Sequence, residues 1–347
     1  MAPYASIARI HVVVPGLTAL RWMCGGLLIA RKLATLLNEH VPTSLVTSVD
    51  RDENVPHLDD LLPEVGDDDV FVITWGPHVT ELLARLVGRR IIYYAQSTGW
   101  GLHVPVTVPI VCLSRYIMAW WMREAPNNAL FVLGPVVEPD CVDRGLTRDI
   151  DVLFLERKSS PYLTDRLVPA LRDRVAVHTV REFIPRGELF RLYNRSRVYV
   201  YSSNPWRSGW VEGLGFQPLE ALLCGCTVFS NLHGGLSDYL EPEMNAFKLA
   251  VHSLAYDVRR ILRAVESGPP HLAGELERLG ADYSETSFHR RASRILAAVD
   301  ELFGHMDRVR ADIGAPGNRA AGAWTKILVR AQSAWRDQSA LGRSTRS

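Results

Sequence analysis

Short β-branched and aromatic runs recur along this chain, each parted from the next by a helix-length stretch, and that alternation limits the fold more than any other feature. Ala8–Val14, Thr43–Val49, Val70–Thr74, Arg90–Ala95, Pro109–Leu113 and Leu130–Leu133 read as strands in the first part. Asp149–Leu155, Val175–His178, Val198–Tyr201 and Cys226–Ser230 repeat the pattern in the second. Runs this apolar suit strands covered on both faces, and strands alternating with helices build α/β, doubly wound parallel sheets. With 347 residues the chain has material for two such cores. The polar stretch 138–148, which holds Pro139, reads as the connection between them. The expected organisation is one domain over 1–142, a second over 149–300 and a helical extension over 301–347.

Thirty-nine Lys and Arg against 38 Asp and Glu leave a net charge of +1. Basic residues form no long run, so nucleic acid is not an expected partner. Five cysteines (Cys24, Cys112, Cys141, Cys224 and Cys226) include no C-x-x-C pair and are expected as reduced thiols of a cytoplasmic protein. No stretch approaches the roughly twenty apolar residues of a membrane span. Met1–Ala8 lacks the basic start of a signal peptide. A soluble chain is expected, with contact at a membrane surface left open.

The densest chemistry lies between the strands 198–201 and 226–230, in Glu212-Gly-Leu-Gly-Phe-Gln-Pro-Leu-Glu220 and a helix closed by Gly225. Pro218 suits a helix start, where its missing N–H costs nothing. That places Glu212 in the strand-to-helix loop and Glu220 in the first helical turn. The amides of Gly213, Leu214, Gly215 and Phe216 then gather at a helix N-terminus, a seat for phosphate. The two carboxylates flank that seat as acceptors for sugar hydroxyls. Two glutamates at this spacing are also an ordinary pair of solvated helix residues. The glycines between them, the flanking strands and His233-Gly234-Gly235 beyond set this pair apart.

Ligands of doubly wound sheets bind past the carboxyl ends of the strands. That rule singles out Gly25, with Gly26 beside it, at the first helix, and His78 and Gln96 after later strands; Arg157 and Lys158 stand just past the strand that opens the second domain. Each has a plain alternative: a Gly-Gly turn, a structural histidine, a solvated strand end. Trp206 and Trp210, just before Glu212, have the shape to stack on a sugar ring or to anchor a core.

The stretch from Glu212 to Gly235 resembles the E-x7-E signature of retaining glycosyltransferases with the two-domain GT-B fold, family 4 in particular. That pattern runs roughly E-G-F-G-x-x-x-x-E-A-x-x-x-G-x-P-V and then a Gly-Gly pair. This chain has Glu212, Gly213, Gly215, Glu220, Ala221, Gly225, Val228, Gly234 and Gly235 in those places, and departs from it at Leu214, Phe216 and Thr227. The resemblance implies two Rossmann-like domains facing a central cleft, with C-terminal helices crossing back onto the first. It implies transfer of a sugar from a nucleotide-diphosphate donor to a glycan or other hydroxyl acceptor, with retention, by front-face attack and without metal or other cofactor. On that pattern Glu212 would hold the donor sugar and Glu220 the nucleotide ribose. Gly213 to Phe216 and Arg157 would meet the diphosphate, with Lys158 in place of a later family lysine that is absent. Glu156 stands where the family has a glycine. Gly25, Gly26 and Gly234 would bring backbone close to the ligands, with His78 counted among the catalytic candidates. Family members often carry histidine where this chain has Gln96, and in this the chain is similar to bacterial rhamnosyltransferase-like members. Two further readings share the architecture: a catalytically impaired GT-B domain kept as a binding scaffold, and a sugar-nucleotide epimerase. The last stretch, 320–341, is amphipathic, with Trp324, Ile327, Leu328, Ala331 and Trp335 on one face. It suits packing on the protein itself, a homodimer partner or an anionic membrane.

Overall fold

The computed structural model describes residues 4–22, 24–74, 76–157, 159–203, 211–268 and 273–308. The chain divides into two compact units, one formed by the residues up to Leu133 with those from His289 on, the other by Gly134–Phe288.

The first unit is built on six strands, β1 (Arg9–Val14), β2 (Thr43–Thr47), β3 (Asp69–Ile73), β4 (Arg90–Ala95), β5 (Ile110–Cys112) and β6 (Leu130–Val132). They pair in parallel in the order β2-β1-β3-β4-β5-β6. Helices α1 (Gly25–Leu37), α2 (Leu58–Leu61), α3 (Val79–Arg85) and α4 (Arg115–Glu124) connect them. Every residue from Ile10 to Val14 is buried, as a strand covered on both faces requires. Ser114 caps α4 through its hydroxyl, which accepts from the Ile117 amide at 3.2 Å.

The second unit holds β7 (Ile150–Leu155), β8 (Val177–Val180), β9 (Ser196–Tyr201), β10 (Thr227–Ser230) and β11 (Ala246–Lys248), again all parallel, in the order β11-β10-β9-β7-β8. A π-wound turn over Leu163–Leu167 leads into α5 (Val168–Arg172). Then follow α6 (Arg186–Arg195), α7 (Phe216–Leu223), α8 (Leu254–Ser267), α9 (Ala273–Asp282) and α10 (Glu285–Arg308). Its core joins Phe154, Val198 and Phe229 of the sheet to Leu167 and Ile261. In both sheets the first strand lies between the second and third, so winding reverses between β1 and β3 and between β7 and β9. Ligands of such sheets bind at that reversal.

The units part at 133/134 and 288/289. The connection belongs to the second unit because its polar groups are spent there. The Val137 amide donates to the Tyr283 carbonyl at 3.0 Å, and Arg148 reaches the carbonyls of Tyr193 (3.2 Å) and Cys224 (2.9 Å). At the other junction, α10 buries Ala292, Leu296, Val299 and Phe303, spaced as one helical face, with Ala292 and Leu296 set against Ile10, Val72 and Tyr94 of the first sheet. Asp300 accepts from the amides of Ala5 (3.1 Å) and Ser6 (2.5 Å). The segment 309–347, with the amphipathic stretch 320–341, lies outside the described residues. Among the described residues no helix is long and apolar enough to cross a membrane.

If α10 completes the first core, Leu296→Ala removes a side chain that is 4% exposed and should lower the stability of that unit by about 3 kcal/mol. Glu301→Ala, on the exposed face, should stay within about 0.5 kcal/mol. Denaturant unfolding of the two variants checks the difference.

Candidate functional site

In the second unit the loops leaving β7 and β9 run together at the winding reversal. The Ser160 amide donates to the Ser202 carbonyl at 2.7 Å, and Ser159 and Ser203 form an antiparallel bridge. Arg157 stands exposed at the start of this junction, with no ion pair among the described residues. Glu156 is committed to Arg181 at 3.0 Å. Lys158, Trp206 and Trp210 lie outside the described residues.

After β9, the chain from Glu212 to Gly215 is pinned from behind by Gly234 and Gly235. The Gly235 amide donates to the Glu212 carbonyl at 2.7 Å. A Cβ on Gly235 would sit 2.0 Å from the Gly213 carbonyl oxygen, and one on Gly234, whose φ is +63°, would sit 2.5 Å from that of Glu212. Gly215 turns the chain into α7 with φ +81°, and Tyr239 donates its hydroxyl to the Gly215 carbonyl. The carbonyls on the inner side of the loop are thereby engaged. Among the described residues, the amides of Gly213, Leu214, Gly215 and Phe216 have no hydrogen-bond acceptor. They gather at the positive end of α7, where an anion is favoured. Leu214 contributes through its backbone alone, since its side chain is buried.

Helix α7 begins at Phe216, two residues ahead of Pro218. Proline fits anywhere in the first turn because those amides lack helical acceptors in any case. Glu220 is therefore the fifth helical residue, in the second turn rather than the first.

The two carboxylates differ in environment. Glu212 is half-buried and accepts from the Tyr201 hydroxyl at 3.0 Å. Nearby, His233 Nε2 lies 2.9 Å from the Ser203 hydroxyl, and burial lowers the pKa of its ring, leaving it neutral near pH 7. Glu220 is fully buried. Its Oε1 is paired with Arg186, which also pairs with Glu138, while Oε2 is buried without a partner. Burial pushes the Glu220 carboxyl up to about 7 against the opposing pull of the Arg186 guanidinium. Arg186, Glu138 and Tyr201 were not legible as site residues. Arg186 precedes Glu220 by 34 positions, and no spacing rule joins them.

The remaining candidates lie in the first unit. Gly25 opens α1 behind an extended Cys24 that gives no side-chain cap, with Gly26 next. A Cβ on Gly25 would meet nothing within 4 Å, so packing does not require the glycine. His78 precedes α3 at its N-cap position without a side-chain cap bond and lies edge-on to the Trp22 ring, 5.9 Å between centroids, and burial lowers its pKa. Gln96 follows β4, with its Nε2 buried and unpartnered. Among the described residues no cluster of three or more His, Cys, Asp or Glu side chains is arranged to hold a metal.

Residues 174–275, which include the pinned loop and α7, match the family described as glycosyl transferases group 1. No curated protein matches the chain. Among solved structures, HepE (Alr3699) from Anabaena in complex with UDP-glucose is similar over 84% of this chain and 99% of its own, at 13% identity and TM-score 0.59. Sucrose-phosphate synthase from Thermosynechococcus elongatus aligns over 83% and 98% of the two chains at 14% identity and TM-score 0.58. A glycosyltransferase from Rickettsia africae aligns over 84% and 98%, at 12% identity and TM-score 0.59. The likeness establishes the fold: the chain has the GT-B architecture.

Two outcomes follow from the pinned loop and the buried acid. Gly235→Ala has to push Gly213 aside and should cost about 1–3 kcal/mol in thermal or denaturant unfolding. The folded Glu220 carboxyl titrates above its unfolded value, about 7 against 4.5. The stability due to its bound proton is thus complete below about pH 4.5 and is lost as pH rises through 7. Relative to Glu220→Gln, the wild type should lose stability across that window and run parallel to it above. Melting curves of both proteins from pH 4 to 9 check the sign.

Proposed function

We propose that this protein transfers a sugar from a nucleoside-diphosphate sugar to a hydroxyl acceptor, with retention of configuration. The observation that carries this reading is the row of acceptorless amides at Gly213–Phe216, at the head of α7, with the Glu212 carboxylate beside it. A diphosphate leaving group needs its growing charge met at once. Backbone amides and a guanidinium already in place supply that without reorganisation. The amides would take the phosphate oxygens and the exposed Arg157 would add a full charge. Glu212 would accept from hydroxyls of the donor sugar. Its oxygen already takes a hydrogen bond from Tyr201, which orients the carboxylate rather than freeing it as a covalent nucleophile. The leaving phosphate would then receive the acceptor's proton as the acceptor attacks from the same face. Glu220 would accept from the nucleotide ribose.

The match of 174–275 to group 1 glycosyl transferases supports the class of reaction. The Anabaena HepE structure, a complex with UDP-glucose, supports a nucleotide sugar as donor. Charge neutralisation by amides and Arg157 makes the reaction independent of metal. Gln96 in place of the family histidine favours a second reading, a GT-B domain that binds nucleotide without turnover.

A thermal-shift panel of UDP-, GDP-, dTDP- and ADP-sugars should yield at least one donor that raises the melting temperature. That donor should then be consumed with EDTA present. Glu212→Ala should bind the parent diphosphate and lose about 100-fold in kcat. Donor binding with no sugar released to acceptor or water would favour the second reading. No shift with any donor would overturn both.

A further inference from the structure

Arg186 opens α6, and its guanidinium is shared between two carboxylates: Nε faces Glu138 in the connection ahead of β7, and Nη2 faces Glu220 on α7. Its position is held further by the Phe190 ring, 5.0 Å below the guanidinium carbon. Glu220 shows no surface, and the oxygen that Arg186 leaves untouched has no partner. A buried carboxylate oxygen with nothing to accept from is costly, and such atoms call for an occupant. We propose that Arg186 is a positioning residue for the donor: held by Glu138, it fixes one oxygen of Glu220 so that the other, Oε2, is the single acceptor offered to a nucleotide hydroxyl. The inference rests on the placement of Glu220 in the donor site given above and adds a residue to it.

The same contact governs charge. Burial favours the neutral carboxyl, and Arg186 opposes it. Burial alone would lower the pKa of the guanidinium, yet Glu220 and Glu138 together hold it above its ordinary value, so it stays cationic. The other titratable groups around Glu220 do not compete. Tyr193, Tyr199 and Tyr239 are kept neutral by burial, and Cys141 by its contact with Cys224 and by burial. Glu220 must be ionised to accept on Oε2 while paired, so donor affinity follows the ionised fraction.

The test uses the full chain and whichever of UDP, GDP, dTDP and ADP binds most tightly. In ligand-free protein, the infrared band of the protonated Glu220 carboxyl is identified by its absence in Glu220→Gln. It should titrate near pH 7 in the wild type and at least about one unit higher in Arg186→Met. Calorimetric affinity for the diphosphate should fall roughly tenfold in the wild type from pH 8 to pH 6. In Arg186→Met that fall should begin at higher pH. Arg186→Lys keeps the charge but cannot bridge both carboxylates, so its midpoint should rise by less, and it carries the test if the methionine variant does not fold. A midpoint and an affinity profile unmoved in the folded variants overturn the inference, and the transferase reading stands so long as Glu220→Gln still weakens binding. If Glu220→Gln leaves affinity unchanged, the donor-site placement of Glu220 is overturned and the inference falls with it.

Discussion

Two stretches of backbone, Glu212–Leu214 and Gly234–Gly235, cross so closely that no side-chain carbon fits between them. The rest of the site depends on that crossing. It explains why glycine is demanded at 234 and 235 by contact rather than by flexibility alone. It also fixes which way the loop faces. With the Glu212 and Gly215 carbonyls taken by Gly235 and Tyr239, the loop's amides are left to the other side. A peptide segment that engages its acceptors inward and leaves its donors without acceptors is arranged for an anion, and the axis of α7 adds its partial charge to the same point.

The second carboxylate obeys a different rule. Glu212 keeps partial access to water and needs one hydroxyl partner. Glu220 gives up hydration altogether, and a buried charge survives only if its pairing is good. The shared guanidinium of Arg186 supplies part of that pairing and leaves the remainder unfilled. The second unit thus carries a soft acid, poised near neutrality, about one helical turn past Phe216. Such an arrangement makes ligand binding and protonation compete directly.

The fold was legible because its signal is repetitive. Apolar runs such as Ile10–Val14 and Val198–Val200 alternate with helical segments, and parallel pairing follows from that order. The loop from Glu212 to Gly215 was legible for a similar reason, since glycine spacing and the flanking strands are all local. What escaped was non-local. Nothing in the composition of 134–148 shows that Arg148 and Cys141 bond to the second sheet's helices. Likewise the apolar face of α10 could have served either core, and only its burial on Ile10 and Tyr94 decides. Arg186 was invisible as a partner of Glu220 because an ion pair joining the start of α6 to the second turn of α7 has no periodicity. Pro218 sits at the third position of α7, where a missing N–H is tolerated as well as at the first, so proline alone does not locate the helix start.

The central claim is that a diphosphate sits on the amides of Gly213, Leu214, Gly215 and Phe216. Its most direct test is residue-resolved amide exchange or amide NMR of the intact chain, with and without the nucleoside diphosphate that binds best. Slowed exchange and large shifts should centre on these four amides. Binding that perturbs other segments and leaves these four unchanged would contradict the account.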